Sequence, residues 1–339
     1  MVKLSVCIPV YGVEKYIERC VRSLFDQHDP AVEYIFVNDA TPDNSWQVLQ
    51  NTLQQYPECQ KNSKLIDLPE NGGVENARMT GLAQAAGEYI WFVDSDDLIA
   101  AGAINAILTV LQKNPVDYLA INLEKIAPGS TIKPINKITY KKLSPEKLFS
   151  DIIAHTGKHS AWCNIVKRQL TSDHPMQKTG FKIAEDYVMH CRWSIFAESA
   201  AVLENPVYGY VMRPQSAINQ SCNFQIMVSV KEAMQYLQKF AATLPPDKKY
   251  IFLNGLHNTM VKMRMLFFID ILNNHAKAQF NDLMQYQIEA EYSLIKNIWA
   301  LPLELQPIMF CDYFKCYGLM RCYTLMAKML LRLLHKGQP

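Results

Sequence analysis

Tyr89-Ile90-Trp91-Phe92-Val93 runs straight into Asp94-Ser95-Asp96-Asp97, and the reading of this stretch decides how the rest of the chain is understood. Five apolar residues with aromatic and β-branched side chains read as a buried strand. The strand delivers three carboxylates to one loop. Such crowding is unfavourable unless a hard cation or a hydrogen-bonding ligand sits among the charges, so the run points to a metal and phosphate site. The other reading is a solvated acidic turn that caps a helix beginning near Ala100.

Outward from this strand, short apolar runs alternate with amphipathic segments. Leu4–Val10, Val32–Asn38, Lys64–Leu68 and Asp117–Asn122 are expected strands alongside Tyr89–Val93. Between the first two, Ile17, Val21 and Leu24 recur at helical spacing within Val13–Gln27, and Asp43-Asn44-Ser45 offers a cap for the next helix. The alternation predicts an α/β fold with a mostly parallel sheet and right-handed crossovers. In such sheets ligands bind beyond the carboxyl ends of the strands. Pro9, Val10 and Tyr11, then Asp39, then Asn71, then Asp94, Ser95 and Asp96 all follow strands, so an aromatic ring, carboxylates and amides are expected in one crevice.

Later in the chain Pro128–Pro134 reads as a loop between the sheet domain and the segments C-terminal to it. Helices are expected over Ser144–His155 and Glu185–Ser199, with a strand over Val207–Met212. From Phe224 helical spacing dominates, as in Leu256, Met260, Met263, Phe267 and Ile271. The chain therefore divides into residues 1–220 and a helical extension, 221–339.

Composition narrows the function. The 339 residues are 49% hydrophobic, enough for a large core, and a net charge of +2 gives no support to nucleic-acid binding. The uncharged stretch Leu98–Gln112 is too short and too polar to cross a bilayer, and the N-terminal apolar run reads as a strand, not a secretory signal. The nine cysteines fall in no Cys-x-x-Cys pair and no zinc spacing, which fits reduced thiols in a cytoplasm.

The residues resemble the family 2 glycosyltransferases, which have the GT-A fold. The likeness spans roughly residues 1–220 and rests on Ser5-Val6-Cys7-Ile8-Pro9-Val10-Tyr11, Val37-Asn38-Asp39 with Asp43-Asn44-Ser45, Asn71-Gly72-Gly73 with Ala77-Arg78, Asp94-Ser95-Asp96-Asp97, and Glu185-Asp186. It implies transfer of a sugar from a nucleotide diphosphate, a UDP-sugar being favoured, to a hydroxyl of a glycan or lipid-linked acceptor. Tyr11 and Asp39 would then receive the uracil, with Asp43 and Ser45 only capping a helix. Arg78 would reach the nucleotide or lie on the surface. Asp96 would ligate Mn2+ or Mg2+, and Asp94 would meet the ribose or a metal-bound water. Asp97 would orient the loop or cap the next helix. Asp186 is the expected general base and Glu185 its substitute, giving inversion at the anomeric carbon.

Trp162 reads either as a sugar-stacking face or as core. Arg213, with Ser216 nearby, reads either as a diphosphate contact or as surface. Two positions depart from the family: Gly12 stands where Asn is usual, and Asn38-Asp39-Ala40-Thr41-Pro42 replaces a pair of Asp residues followed by Gly-Ser.

Three rival readings stand against this one. A haloacid-dehalogenase-type enzyme would use Asp94 as a covalent nucleophile, but Asp97-Leu98-Ile99 replaces that family's Asp-Gly-Thr and lies far from the N-terminus. A non-catalytic sugar-binding module would be expected to lack one of Asp94, Asp96 and Asp186. A sugar nucleotidylyltransferase would need a Gly-rich first loop, where Gly12 is alone.

After Asp312 no Asp or Glu occurs, while Arg321, Lys328, Arg332 and His335 fall near one helical face. Residues 313–339 therefore read either as a basic helix touching the inner face of a membrane peripherally, or as a packed helix with a solvated edge. The resemblance suggests a bacterial, cytoplasmic enzyme of surface polysaccharide or lipopolysaccharide synthesis.

Overall fold

The computed structural model describes residues 2–154, 160–181, 183–213 and 224–273, with the side chains of 224–228 and 260–273 left aside. The elements in order are β1 (Leu4–Val10), α1 (Ile17–Phe25), β2 (Val32–Asn38), α2 (Ser45–Leu53), α3 (Pro57–Lys61), β3 (Ser63–Asp67), α4 (Val74–Gln84), β4 (Tyr89–Phe92), β5 (Leu98–Ile99) and α5 (Ala103–Lys113). They are followed by β6 (Tyr118–Ile126), β7 (Tyr140–Leu143), α6 (Pro145–Ile153), β8 (Asn164–Lys167), α7 (Arg168–Asp173), α8 (Glu185–Ser194), β9 (Ala200–Val211), α9 (Phe224–Ala241) and α10 (Pro246–Asn273).

All the strands join one sheet, in the order β3-β2-β1-β4-β8-β6-β9-β5, with β7 also paired to β9. The first half is parallel: β1 pairs β2 and β4, and β2 pairs β3. Beyond β4 the sheet becomes mixed. β8 enters antiparallel between β4 and β6, while β5 and β7 pair antiparallel with β9.

Helices cover both faces, which is why β1 and β2 are apolar along nearly their whole length. Leu4, Val6 and Ile8 pack on one face with Ile17, Val21 and Leu24 of α1 and with Ile104 and Ile107 of α5. Cys7, Ile35, Val37, Ile90 and Phe92 pack on the other, against α4, α6 and α8. Each such aliphatic side chain taken out of water contributes about 1.5–3 kcal/mol. The described cysteines, Cys7, Cys20, Cys59, Cys163 and Cys191, are buried and form no disulfide. Cys222, Cys311, Cys316 and Cys322 lie outside the described residues.

Several expectations are corrected. The helix expected near Ala100 begins at Ala103, because Leu98 and Ile99 first pair with β9 and Gly102 then turns through a left-handed φ of 84°. The helix expected over Glu185–Ser199 ends at Ser194, and the strand expected at Val207 starts at Ala200. The stretch around Pro128–Pro134 is a loop, yet it does not end the sheet: β7, β8 and β9 all rejoin it.

The extension is helical over Phe224–Asn273, and Met234, Leu237, Phe252 and Leu256 belong to the same core as β4 and α8. The expected boundary at residue 220, together with Ser216 and residues 313–339, falls outside the described residues.

Candidate active site

Four strand ends and one helix start meet at the carboxyl edge of the parallel half of the sheet. After β1, Val10 is buried and serves the ladder, its carbonyl accepting the Asp39 amide at 3.1 Å. Half-buried Pro9 precedes it, and Tyr11 follows with its ring 48% exposed, free to meet a flat ligand. Gly12 has a φ of 66°, and its amide donates to Thr41 Oγ1 at 2.9 Å. Asn is the side chain that best tolerates left-handed backbone, so a Gly where the family has Asn keeps the same turn.

Asp39, after β2, is 3% exposed and works on backbone. Oδ1 accepts the Gly72 amide at 2.8 Å and Oδ2 accepts the Gly73 amide at 2.8 Å. Its carboxylate thus shapes the turn, which Asn71 tightens by accepting the Gly73 amide at 3.1 Å. Asn38 replaces a carboxylate and bonds Asp67 through Nδ2 at 2.7 Å. A second Asp there would face Asp67 with like charge. Ala40 follows at a φ of 52°. Asp43 does more than cap: it accepts the amides of Glu14 and Ser45 at 3.1 Å each, tying the first loop to α2.

The Asp94–Asp97 loop is held from two sides. Asp94 Oδ1 accepts Arg78 Nη2 at 2.7 Å, while the Asp94 amide donates to the Tyr208 hydroxyl at 3.1 Å. Asp97 Oδ2 accepts that hydroxyl at 2.7 Å and Oδ1 accepts the Val211 amide at 2.8 Å. Asp97 therefore orients the loop by binding β9 and does not cap α5. Burial, and after it the Asp94 charge, push the Asp97 carboxyl up to about 7. Ser95 is buried within the loop. Asp96 is ion-paired with Arg213, whose guanidinium lies 5.0 Å from the Tyr16 ring centroid. Arg213 is partly buried and reaches the acidic loop.

Arg78 is 6% exposed, so the surface alternative is excluded. It connects two carboxylates, donating Nη1 to Glu185 Oε1 at 2.8 Å as well as Nη2 to Asp94. Burial works against its charge, but Asp94, Glu185 and Asp186 outweigh burial and raise its pKa, so it stays protonated. Burial and then Asp186 push Glu185 upward despite Arg78. Ala184, in left-handed backbone at a φ of 72°, turns the chain into α8. Glu185 points to the core, and Asp186 beside it is half-buried.

Of the two readings of Trp162, its surroundings support core. It is 7% exposed and stacks on Tyr208, with ring centroids 4.6 Å apart and planes 11° apart. Tyr208 and Glu75 escape a reading of the sequence. Tyr208 carries no signal beyond its place in a strand, and Glu75 looks like an ordinary acidic first-turn residue.

Among the described residues, no group of three or more His, Cys, Asp and Glu side chains assembles a metal cage. Asp94 and Asp96 nevertheless offer hard oxygen donors, and one or two carboxylates completed by substrate phosphates is an ordinary Mg2+ arrangement. The residues fit that kind of shared site.

The solved structures of Staphylococcus aureus TarS 1–349 share the fold. The UDP complex matches with a TM-score of 0.68 at 22% identity, covering 96% of this chain and 91% of that one, and the UDP-GlcNAc complex with 0.67 at 20% identity, covering 96% and 92%. In sequence, the chain is 34% identical over 218 residues to the uncharacterized glycosyltransferase EpsJ of Bacillus subtilis (strain 168), covering 63% of this chain and 62% of that protein. It is 36% identical over 121 residues to the minor teichoic acid biosynthesis protein GgaB of the same organism, covering 34% of this chain and 13% of that protein. The matched region is thus less than two thirds of either relative. The profile described as Glycosyl transferase family 2 matches residues 5–176, half of the sequence, and the chain belongs to that family with a GT-A fold.

Proposed function

We propose that the chain is a metal-assisted, inverting glycosyltransferase that moves a sugar from a UDP-sugar to a hydroxyl of a glycan or lipid-linked acceptor. The observation that carries the reading is the Arg78 bridge, which puts the Asp94–Asp97 loop and the Glu185–Asp186 helix start on one cation. Donor-side and acceptor-side carboxylates are thereby fixed relative to each other. Transfer needs that relation.

In this reading the exposed Tyr11 ring stacks on the uracil, and Asp39 holds the Gly72-Gly73 turn that receives the nucleotide. Asp94 meets the ribose, and Asp96 with Asp94 holds Mn2+ or Mg2+, which when bound takes up charge on the departing diphosphate. Arg213 leaves Asp96 for the diphosphate when donor arrives. Asp186 takes the proton of the acceptor hydroxyl as its oxygen bonds the anomeric carbon, and the bond from that carbon to the diphosphate breaks to release UDP. One displacement converts an α-linked donor into a β-linked product. The Arg78 contact to Glu185 Oε1 favours Asp186 for this role, with Glu185 as its substitute.

TarS of S. aureus (strain Mu50 / ATCC 700699) is named a poly(ribitol-phosphate) beta-N-acetylglucosaminyltransferase, and the chain is 28% identical to it over 218 residues. UDP-GlcNAc is therefore the first donor to test, and bacterial surface polymers are the acceptor class. No helix among the described residues is long and apolar enough to cross a membrane. A cytoplasmic place completes the reading.

The test is a thermal-shift panel of nucleotide sugars with Mn2+, then UDP titration with and without metal. UDP-sugars should stabilise the fold, metal should tighten UDP, D96A should remove the metal effect, and D186N should lose transfer but keep UDP. Metal-independent UDP affinity would overturn the metal assignment, and transfer by D186N at the parent rate would overturn the base.

A further inference from the structure

Glu75 is a buried carboxylate that none of the roles above uses. It lies in the first turn of α4, 5% exposed, one turn before Arg78. A carboxylate there would ordinarily stay in water beside its own helix's free amides. Instead it reaches across to the segment before α8. Oε1 accepts both the amide and the hydroxyl of Thr179 at 2.8 Å, and Oε2 accepts the amide of Gly180 at 2.8 Å. The Thr179 hydroxyl also accepts the Phe181 amide at 3.3 Å, and the Phe181 ring meets Tyr236 of α9 edge-on.

Removing a carboxylate from water is costly, and three good donors are what make it tolerable. If the fold needed only to close a loop here, a neutral Ser or Asn would do so with less desolvation. Residues three apart on a helix share a face, so Glu75 and Arg78 act side by side. Glu75 grips Thr179 and Gly180, and Arg78 grips Glu185 at 2.8 Å. Asp186 is the next residue. Two successive turns of one helix thus hold both ends of the approach to the base.

Resting on the glycosyltransferase reading, we infer that Glu75 is a positioning residue for Asp186, setting where the base stands relative to the donor. Arg78 also bonds Asp94 on the donor side, whereas the Glu75 carboxylate bonds the Thr179–Gly180 segment. Removing Glu75 should therefore separate transfer from nucleotide binding.

The experiment compares the parent chain with E75A, E75Q and T179V. It measures UDP binding by calorimetry, hydrolysis of UDP-GlcNAc with Mn2+ present, and amide exchange across residues 183–190. E75A should keep UDP affinity within about twofold of the parent, while kcat falls on the order of tenfold to a hundredfold, the usual cost of misplacing a catalytic group by about 1 Å. Exchange at the start of α8 should quicken while exchange in β1 and β4 does not. E75Q, which keeps one acceptor oxygen, and T179V should fall between parent and E75A, and both serve if E75A does not fold.

A uniform loss of fold would lower UDP affinity and kcat together and speed exchange throughout, which overturns the inference. So does a kcat within twofold of the parent, or unchanged exchange at α8. If the parent itself neither binds UDP nor hydrolyses UDP-GlcNAc, the proposed function fails, and the exchange measurement still decides whether Glu75 holds α8.

Discussion

Arg78 and Glu185 lie 107 positions apart in the sequence and meet at 2.8 Å in the protein interior. The pair is buried on both sides, with side-chain exposures of 7% and 11%. Removing one partner of such a pair strands the other charge. R78M should therefore lower the free energy of unfolding by about 3–5 kcal/mol. Adding E185Q should recover part of that loss, and denaturant unfolding of the single and double variants gives the coupling directly. Simple additivity would show that the two side chains do not rely on each other.

Asp97 makes stability depend on pH. Its carboxyl titrates near 7 in the folded chain against 3.8 as its ordinary value, so between these values the folded state holds a proton that the unfolded state has lost. Stability from this group is full below about pH 4 and is lost as pH rises toward 7, by on the order of 4 kcal/mol. D97N carries no such titration. The difference in unfolding free energy between parent and D97N should change across pH 4–7 and level off above it, whereas a constant difference would place the carboxyl in ordinary surroundings.

Both oxygens of Asp39 accept backbone amides. D39N would turn an NH2 group toward one of those N–H donors, leaving it unsatisfied at a cost of about 1–3 kcal/mol. UDP affinity should fall with stability, because the Gly72-Gly73 turn moves. Calorimetric titration and thermal unfolding of D39N check both, and a variant that binds UDP like the parent would remove Asp39 from the nucleotide site.

For Trp162 the expected loss is in folding. W162A should cost about 3–5 kcal/mol in denaturant unfolding, as truncation of a buried aromatic does. A cost below about 1 kcal/mol would place the ring outside the core.

The parallel half of the fold was legible because its strands are short apolar runs closed by polar residues. β1 and β2 begin and end where their composition changes. In the mixed half β6 and the second part of β9 were legible, but the shortest strands were not. β8 is the four residues Asn164–Lys167, and β5 is two. Runs that short carry no period, and only pairing with β4, β6 and β9 makes them strands.

At the site, residue types and their order could be read, but not what each side chain touches. Asp39 reads as a ligand contact, and its hold on the Gly72 and Gly73 amides has no signal in the sequence. Arg78 was expected at the nucleotide and was found between two carboxylates. Long-range partners such as Tyr208 for Asp97 have no local signal, because the contact closes only when β9 returns to the sheet.

Among the described residues only Ala40 and Ala184 hold a non-glycine side chain in left-handed backbone, and each adjoins an acidic residue of the crevice. An L-residue there is less comfortable than glycine by roughly 1–2 kcal/mol. The methyl group also denies those hinges most of the conformations a glycine would explore. The two bends are thus narrowed before any sugar nucleotide arrives, and docking spends less of its interaction energy on ordering the cleft.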